Sequence, residues 1–292
     1  MNRSFEGLKI AETRIEIPGL AAPTRLMHIT DMHLTHTDER DAPRTHEIAR
    51  ERTRLFQRYA DCPIRALFER ILAQAGAAGA DAVVLTGDIV DFPSRANLEA
   101  LDLLLNKSGL NYAFVTGNHD WWPEYLDGRT GRHAEYMERL APFMDVVHGC
   151  GVKVVNGVRI LTLDDSEYQI SPEQLGFVEE QLSGGAPCLL FLHIPLYAPS
   201  LVPDVLNVWK SPILAGVPAD LPRGPKGTID APLPLPSTQA FLRLLARREF
   251  SNLYGVFAGH VHFAHEDALC GDVIQSVTAP GYSGVCRLIT LG

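Results

Sequence analysis

The chain has 292 residues, 46% hydrophobic and 21% charged, the proportions of a soluble globular protein with a sizeable core rather than of a disordered or fibrous one. A formal net charge of −9 with no long block of Lys or Arg disfavours a dedicated nucleic-acid grip, yet leaves room for a small anionic substrate beside a bound cation. No run reaches the roughly 20 apolar residues of a membrane span, and the N-terminal segment lacks the apolar centre of a signal peptide. Cys62, Cys150, Cys188, Cys270 and Cys286 are widely separated and form no C-x-x-C pair, so reduced thiols and a cytoplasmic location are expected.

Taken in chain order, the sequence repeats one theme: a short apolar run that stops at Gly, Asp or His. Residues 25–30 (RLMHIT) lead into Asp31-Met32-His33. A polar stretch follows, with Arg40, Arg44, Arg50, Arg52, Arg54 and Arg58 among acids; it reads as a solvated helix face balanced by Glu47 and Glu51, the alternative being an arginine that forks onto a substrate phosphate. Residues 64–78 place Leu67, Ile71 and Leu72 on one helical side, residues 81–86 form a strand that leads into Gly87-Asp88, and residues 96–105 read as a second helix. The strand at 112–116 leads into Gly117-Asn118-His119-Asp120, followed by Trp121 and Trp122, which are read as loop anchors in preference to a base-stacking wall.

Residues 158–163 form a further run ending in Asp164-Asp165, read as a turn. Ser171, Pro172 and Gln174 then spell a capped helix start. The strand at 188–192 leads into His193. Ten of the 20 prolines fall in residues 195–236, an ordered surface excursion expected to form part of a pocket rim. The strand at 253–258 leads into Gly259-His260-Val261-His262, and residues 262–266, 273–278 and 285–291 read as closing strands. Near-continuous apolar strands suit burial on both faces, so polar groups collect at strand ends. Alternating strands and helices give an α/β layered fold. Because the polar segments span nearly the whole chain and must converge, a single domain over residues 1–292 is expected.

Each short motif alone is an ordinary strand-to-loop turn. All five in order, each at a strand end, form a pattern. The chain thereby resembles the calcineurin-like metallophosphoesterase superfamily, whose motifs run D-x-H, G-D, G-N-H-D/E, H and G-H-x-H. The resemblance implies a four-layer αββα sandwich with two facing mixed sheets. It also implies Asp31, His33 and His262 on one metal ion, Asn118, His193 and His260 on a second, and Asp88 bridging both.

The residue types suit this independently: hard oxygens mixed with imidazoles, and no thiolate, fit two Mn, Fe, Zn, Co or Ni ions and not a structural zinc site. Two ions about 3.5–4 Å apart need an anion between them, which Asp88 supplies. If His260-Val261-His262 is extended, both rings lie on one side. A metal-bound hydroxide, its parent water lowered from about 15.7 toward about 7 in pKa, would then attack the phosphate ester. His119 is the candidate general acid, oriented by Asp91; Asp120 is divided between supporting the ligands and capping the turn.

Phe92-Pro93 after Asp91 departs from the Asp-Arg-Gly of Ser/Thr protein phosphatases, and Asp91 stands where purple acid phosphatases place a tyrosine. What remains is similar to the bacterial small-substrate branch, including cyclic-nucleotide phosphodiesterase-like proteins. A small phosphodiester is the expected substrate, with a phosphomonoesterase as the alternative. An inactive scaffold and a nucleic-acid-processing nuclease subunit are the competing classes.

Overall fold

The computed structural model describes residues 7–121, 133–144, 146–147, 149–221, 224–225, 230–246, 250–270 and 273–292; Trp122 lies outside them. Two mixed sheets face each other. The first has the order β1-β12-β2-β3-β4, formed by β1 (Lys9–Ile15), β12 (Val285–Leu291), β2 (Thr24–Ile29), β3 (Ala82–Thr86) and β4 (Tyr112–Val115). The second has the order β10-β11-β9-β8-β7-β6-β5: β10 (His265–Cys270), β11 (Val273–Val277), β9 (Leu253–Ala258), β8 (Cys188–Leu192), β7 (Val158–Leu163), β6 (Cys150–Val155) and β5 (Val146–Val147).

Strand alternation sorts the apolar residues into three layers. Leu26, Val84, Ala113, Ile160, Leu189, Phe191, Phe257 and Ile289 fill the space between the sheets. Their neighbours Met27, Ile29, Val83, Leu85 and Phe114 point outward against α1 (Pro43–Gln57), α2 (Ile64–Ala77), α3 (Arg95–Ser108) and α5 (His133–Leu140). On the other side Leu190, Leu192 and Val256 meet α6 (Pro172–Ser183), α7 (Val202–Trp209) and α8 (Pro236–Ala246). The result is an αββα sandwich. Burial on both faces explains why these strands read as continuous apolar runs.

The proline-rich stretch after His193 sends Leu196, Leu201, Val205, Ile213, Leu214 and Val217 into the outer core of the second sheet and carries α7. Among the described residues no helix is long and apolar enough to cross a membrane. Cys62, Cys188 and Cys286 are free thiols.

Local signals set several boundaries. Ser171 caps α6 by accepting the Gln174 amide, and the Gln174 side chain returns to the Ser171 amide. Ser171→Ala is expected to lower stability by about 1 kcal/mol, read as a reduced urea midpoint with unchanged slope. One expected boundary is corrected: the strand placed at 262–266 begins at His265, because His262 adopts a left-handed conformation (φ 61°).

Candidate metal centre

The parallel strands β2, β3, β4, β7, β8 and β9 all end on the same side of the sandwich, and their C-terminal ends deliver the polar residues. Asp31 and His33 follow β2, Asp88 follows β3, Asn118 opens the short helix α4 (Asn118–Trp121) after β4, His193 follows β8, and His260 and His262 follow β9. Close approach there requires glycine. A Cβ on Gly259 would overlap Thr30 Oγ1 and Asp31 Oδ2, and Gly87 (φ 85°) sits against the Gly117 backbone.

The fifth motif, Gly259-His260-Val261-His262, is not extended as its i, i+2 spacing predicts. His260 and His262 both have positive φ, Val261 N donates to Gly259 O at 2.8 Å, and Val261 turns into the core. Two left-handed residues around a buried valine bring both rings to the site by a tighter route.

Side-chain atoms converge in two clusters that share Asp88: Asp31, His33, Asp88 and His262 in one, Asp88, His193 and His260 in the other. Asp88 Oδ2 lies 3.6 Å from His33 Nε2 and 3.4 Å from His193 Nε2, between the two groups. Its Oδ1 accepts the His119 amide at 2.8 Å. Asp31 Oδ2 accepts the His260 amide at 3.0 Å, leaving Oδ1 facing His262 Nε2 at 3.1 Å.

The outer nitrogen of each imidazole is tied down. His33 Nδ1 donates to Asp91 at 2.8 Å and His193 Nδ1 to the Thr86 carbonyl at 2.7 Å. His260 Nε2 shares a hydrogen bond with Tyr168 Oη at 3.0 Å, and His262 Nδ1 with Tyr282 Oη at 3.2 Å. The inner nitrogens are thereby directed at the clusters.

Asp31 Oδ1, Asn118 Oδ1 and His193 Nε2 are buried and make no hydrogen bond. Such orphaned atoms are costly unless another partner exists, and together with the oxygen and imidazole donor set they fit transition-metal ions. Burial lowers His33 to about 4 and His260 to about 3, the neutral form a ligand requires. For His193 burial acts the same way, but the Asp88 charge outweighs it and raises it to about 10.

Beside the first cluster stands a second group. Asp91 is buried and receives His33 Nδ1, lies 3.3 Å from His119 Nδ1, and is gripped by Arg52, whose Nε and Nη2 donate at 2.7 and 2.6 Å. Burial opposes ionisation of Asp91, but the bonds from Arg52, His119 and His33 outweigh it and hold the carboxyl well below the usual range. The solvated-helix reading fails for Arg52. It leaves the α1 face, crosses Phe56 at 4.7 Å and enters the site. Nothing in the run of six arginines singles it out, because its partner is distant in sequence.

Asp120 serves the turn: Oδ2 accepts from Asp88 N and Gly117 N, both at 2.7 Å, and Oδ1 from Val90 N at 2.9 Å. Asp165 accepts the His193 and Ile194 amides at 3.0 Å each, so Asp164-Asp165 forms no catalytic pair. Trp121 is buried and donates to Ser166 Oγ at 2.7 Å, an anchor. Sequence reasoning also missed Tyr168, Tyr282 and Trp209. Each reaches the G-H-x-H histidines only through the fold.

Residues 24–264 match the family described as calcineurin-like phosphoesterase. The chain belongs to the calcineurin-like phosphoesterase family. It is a metal-dependent phosphoric ester hydrolase by that membership, and its Asp and His clusters are able to bind metal. A dimetal phosphatase from Danio rerio shares the fold of this calcineurin-like phosphoesterase, with 14% identity and a TM-score of 0.52 over 89% of this chain and 88% of that one. A purple acid phosphatase from yellow lupin seeds aligns at 14% identity and a TM-score of 0.48, over 92% of this chain and 45% of its own. No curated protein sequence matches.

Proposed function

We propose that this chain hydrolyses a small phosphodiester at two transition-metal ions, one held by Asp31, His33 and His262, the other by Asn118, His193 and His260, with Asp88 between them. The observation that carries this is the position of Asp88 Oδ2 between His33 and His193, the only residue common to both clusters among the described residues. Bound there, the ions would activate water and draw charge from the phosphoryl oxygens.

The rest falls to the protein. His119 lies outside both Asp88-sharing clusters and faces the adjoining cleft. Burial lowers its pKa, but the Asp88 charge and the Asp91 bond outweigh that and raise it above the ordinary imidazole value, which favours the protonated ring. It gives its proton to the departing alkoxide, Asp91 holds the ring, and Arg52 keeps Asp91 ionised. As pH rises through the His119 pKa, the acid form and the activity are lost together.

The charge inventory favours a diester over a monoester. Where Ser/Thr protein phosphatases place an arginine after the aspartate, this chain has buried Phe92 after Asp91, and the Arg52 guanidinium is committed to Asp91. A singly charged diester asks for less compensation than a doubly charged monoester. The bacterial small-substrate branch is the corresponding placement. The free thiols of Cys188 and Cys286, both buried, suit the cytoplasm, and the sheets' shared inner core suits a single domain.

The test is metal analysis combined with two esters. Mn-reconstituted protein is expected to carry two ions per chain and to cleave bis(p-nitrophenyl) phosphate faster than p-nitrophenyl phosphate. Faster monoester cleavage would shift the assignment to a phosphomonoesterase, and two bound ions with neither ester cleaved would leave an inactive scaffold.

A further inference from the structure

A cleft of about 660 Å3 opens directly from Asn118, His119 and His262. Its size is that of a drug-sized ligand site, far more than a phosphoryl group fills. Its wall is an arc of rings: Tyr59 and Tyr282 have centroids 5.5 Å apart, Tyr282 and His262 5.4 Å, and His262 and Trp209 5.3 Å. At its mouth, Leu55, Tyr59 and Val208 are 37%, 51% and 54% exposed, large apolar side chains gathered from α1, the residues after it, and α7. Such a gathering marks a binding surface, since scattered exposed residues would not line one opening. The Arg58 guanidinium stacks on Tyr59 at 4.6 Å and donates to its hydroxyl at 2.6 Å, which fixes the ring at the rim.

We propose that this cleft is a subsite for a planar aromatic group of the substrate, making the substrates phosphodiesters of aryl- or heteroaryl-bearing alcohols. The proposal rests on the phosphoester reading above. Aromatic faces in an arc favour stacked and edge-on contact with a flat ring, whereas a saturated group of equal size gains burial alone.

Non-hydrolysable phosphinates test this by calorimetry on the metal-loaded protein. Each carries one negative charge, and the series is dimethylphosphinate, benzyl(methyl)phosphinate and cyclohexylmethyl(methyl)phosphinate. The benzyl compound is expected to bind about tenfold more tightly than the dimethyl one, with the cyclohexylmethyl compound clearly weaker than benzyl. In Tyr59→Ala the benzyl advantage shrinks about threefold or more while dimethylphosphinate binds unchanged, and Tyr59→Phe keeps it. Equal affinity of the benzyl and cyclohexylmethyl compounds, or a benzyl advantage intact in Tyr59→Ala, overturns the subsite and leaves the phosphoester reading standing. Failure of dimethylphosphinate to bind at all overturns both.

Discussion

His119→Ala is expected to lower kcat on an alkyl phosphodiester by about 10²–10⁴-fold, the range for loss of a positioned acid, while metal analysis still finds two ions per chain. The ring is bound to Asp91 and its backbone amide to Asp88 Oδ1. Alanine removes the first contact and keeps the second, so Asp88 retains its orientation. A proton donor matters most when the leaving group is a poor one. The loss should therefore be much smaller on bis(p-nitrophenyl) phosphate, whose phenolate departs unassisted. Equal losses on both esters would make His119 an electrostatic stabiliser, and loss of metal in the variant would place it among the ligands.

Asp120→Ala is expected to cost on the order of 4 kcal/mol in urea unfolding of the metal-free protein, because three N–H groups lose their acceptor at about 1–3 kcal/mol each and such costs do not add in full. Those of Asp88, Val90 and Gly117 all end on this one carboxylate, which is fully buried. Asp120→Asn separates acceptor from charge. Burial, then the Asp88 charge, raises the Asp120 carboxyl to about 7, so neutralising it is tolerable in itself. An asparagine oxygen in the Oδ2 position still serves Asp88 N and Gly117 N, leaving Val90 N to face an amide donor. The expected cost is about a third to a half of that for alanine. Equal costs would show that the charge, and not the acceptor count, holds the turn.

What the sequence disclosed was set by local chemistry. The strands at 188–192 and 253–258 were legible because burial on both faces leaves a near-continuous apolar run. The helix after Ser171 was legible because its cap is written in adjacent residues. The site was legible to the extent that its side chains follow strand ends. Arg52, Tyr168 and Tyr282 were hidden for the converse reason: each acts across a long sequence gap on a histidine or carboxylate that another element supplies. The conformation of His260-Val261-His262 was hidden too, since spacing alone does not distinguish an extended pair from two left-handed turns around a core valine.

Eight described non-glycine residues have positive φ, and five of them are Asp31, His33, Asp88, His260 and His262. A left-handed side chain costs roughly 1–2 kcal/mol, although Asp and His are found there more often than most residues. Glycine would relieve that cost at every one of the five positions. The strain is therefore concentrated where the two clusters meet, on side chains whose placement the surrounding fold over-determines.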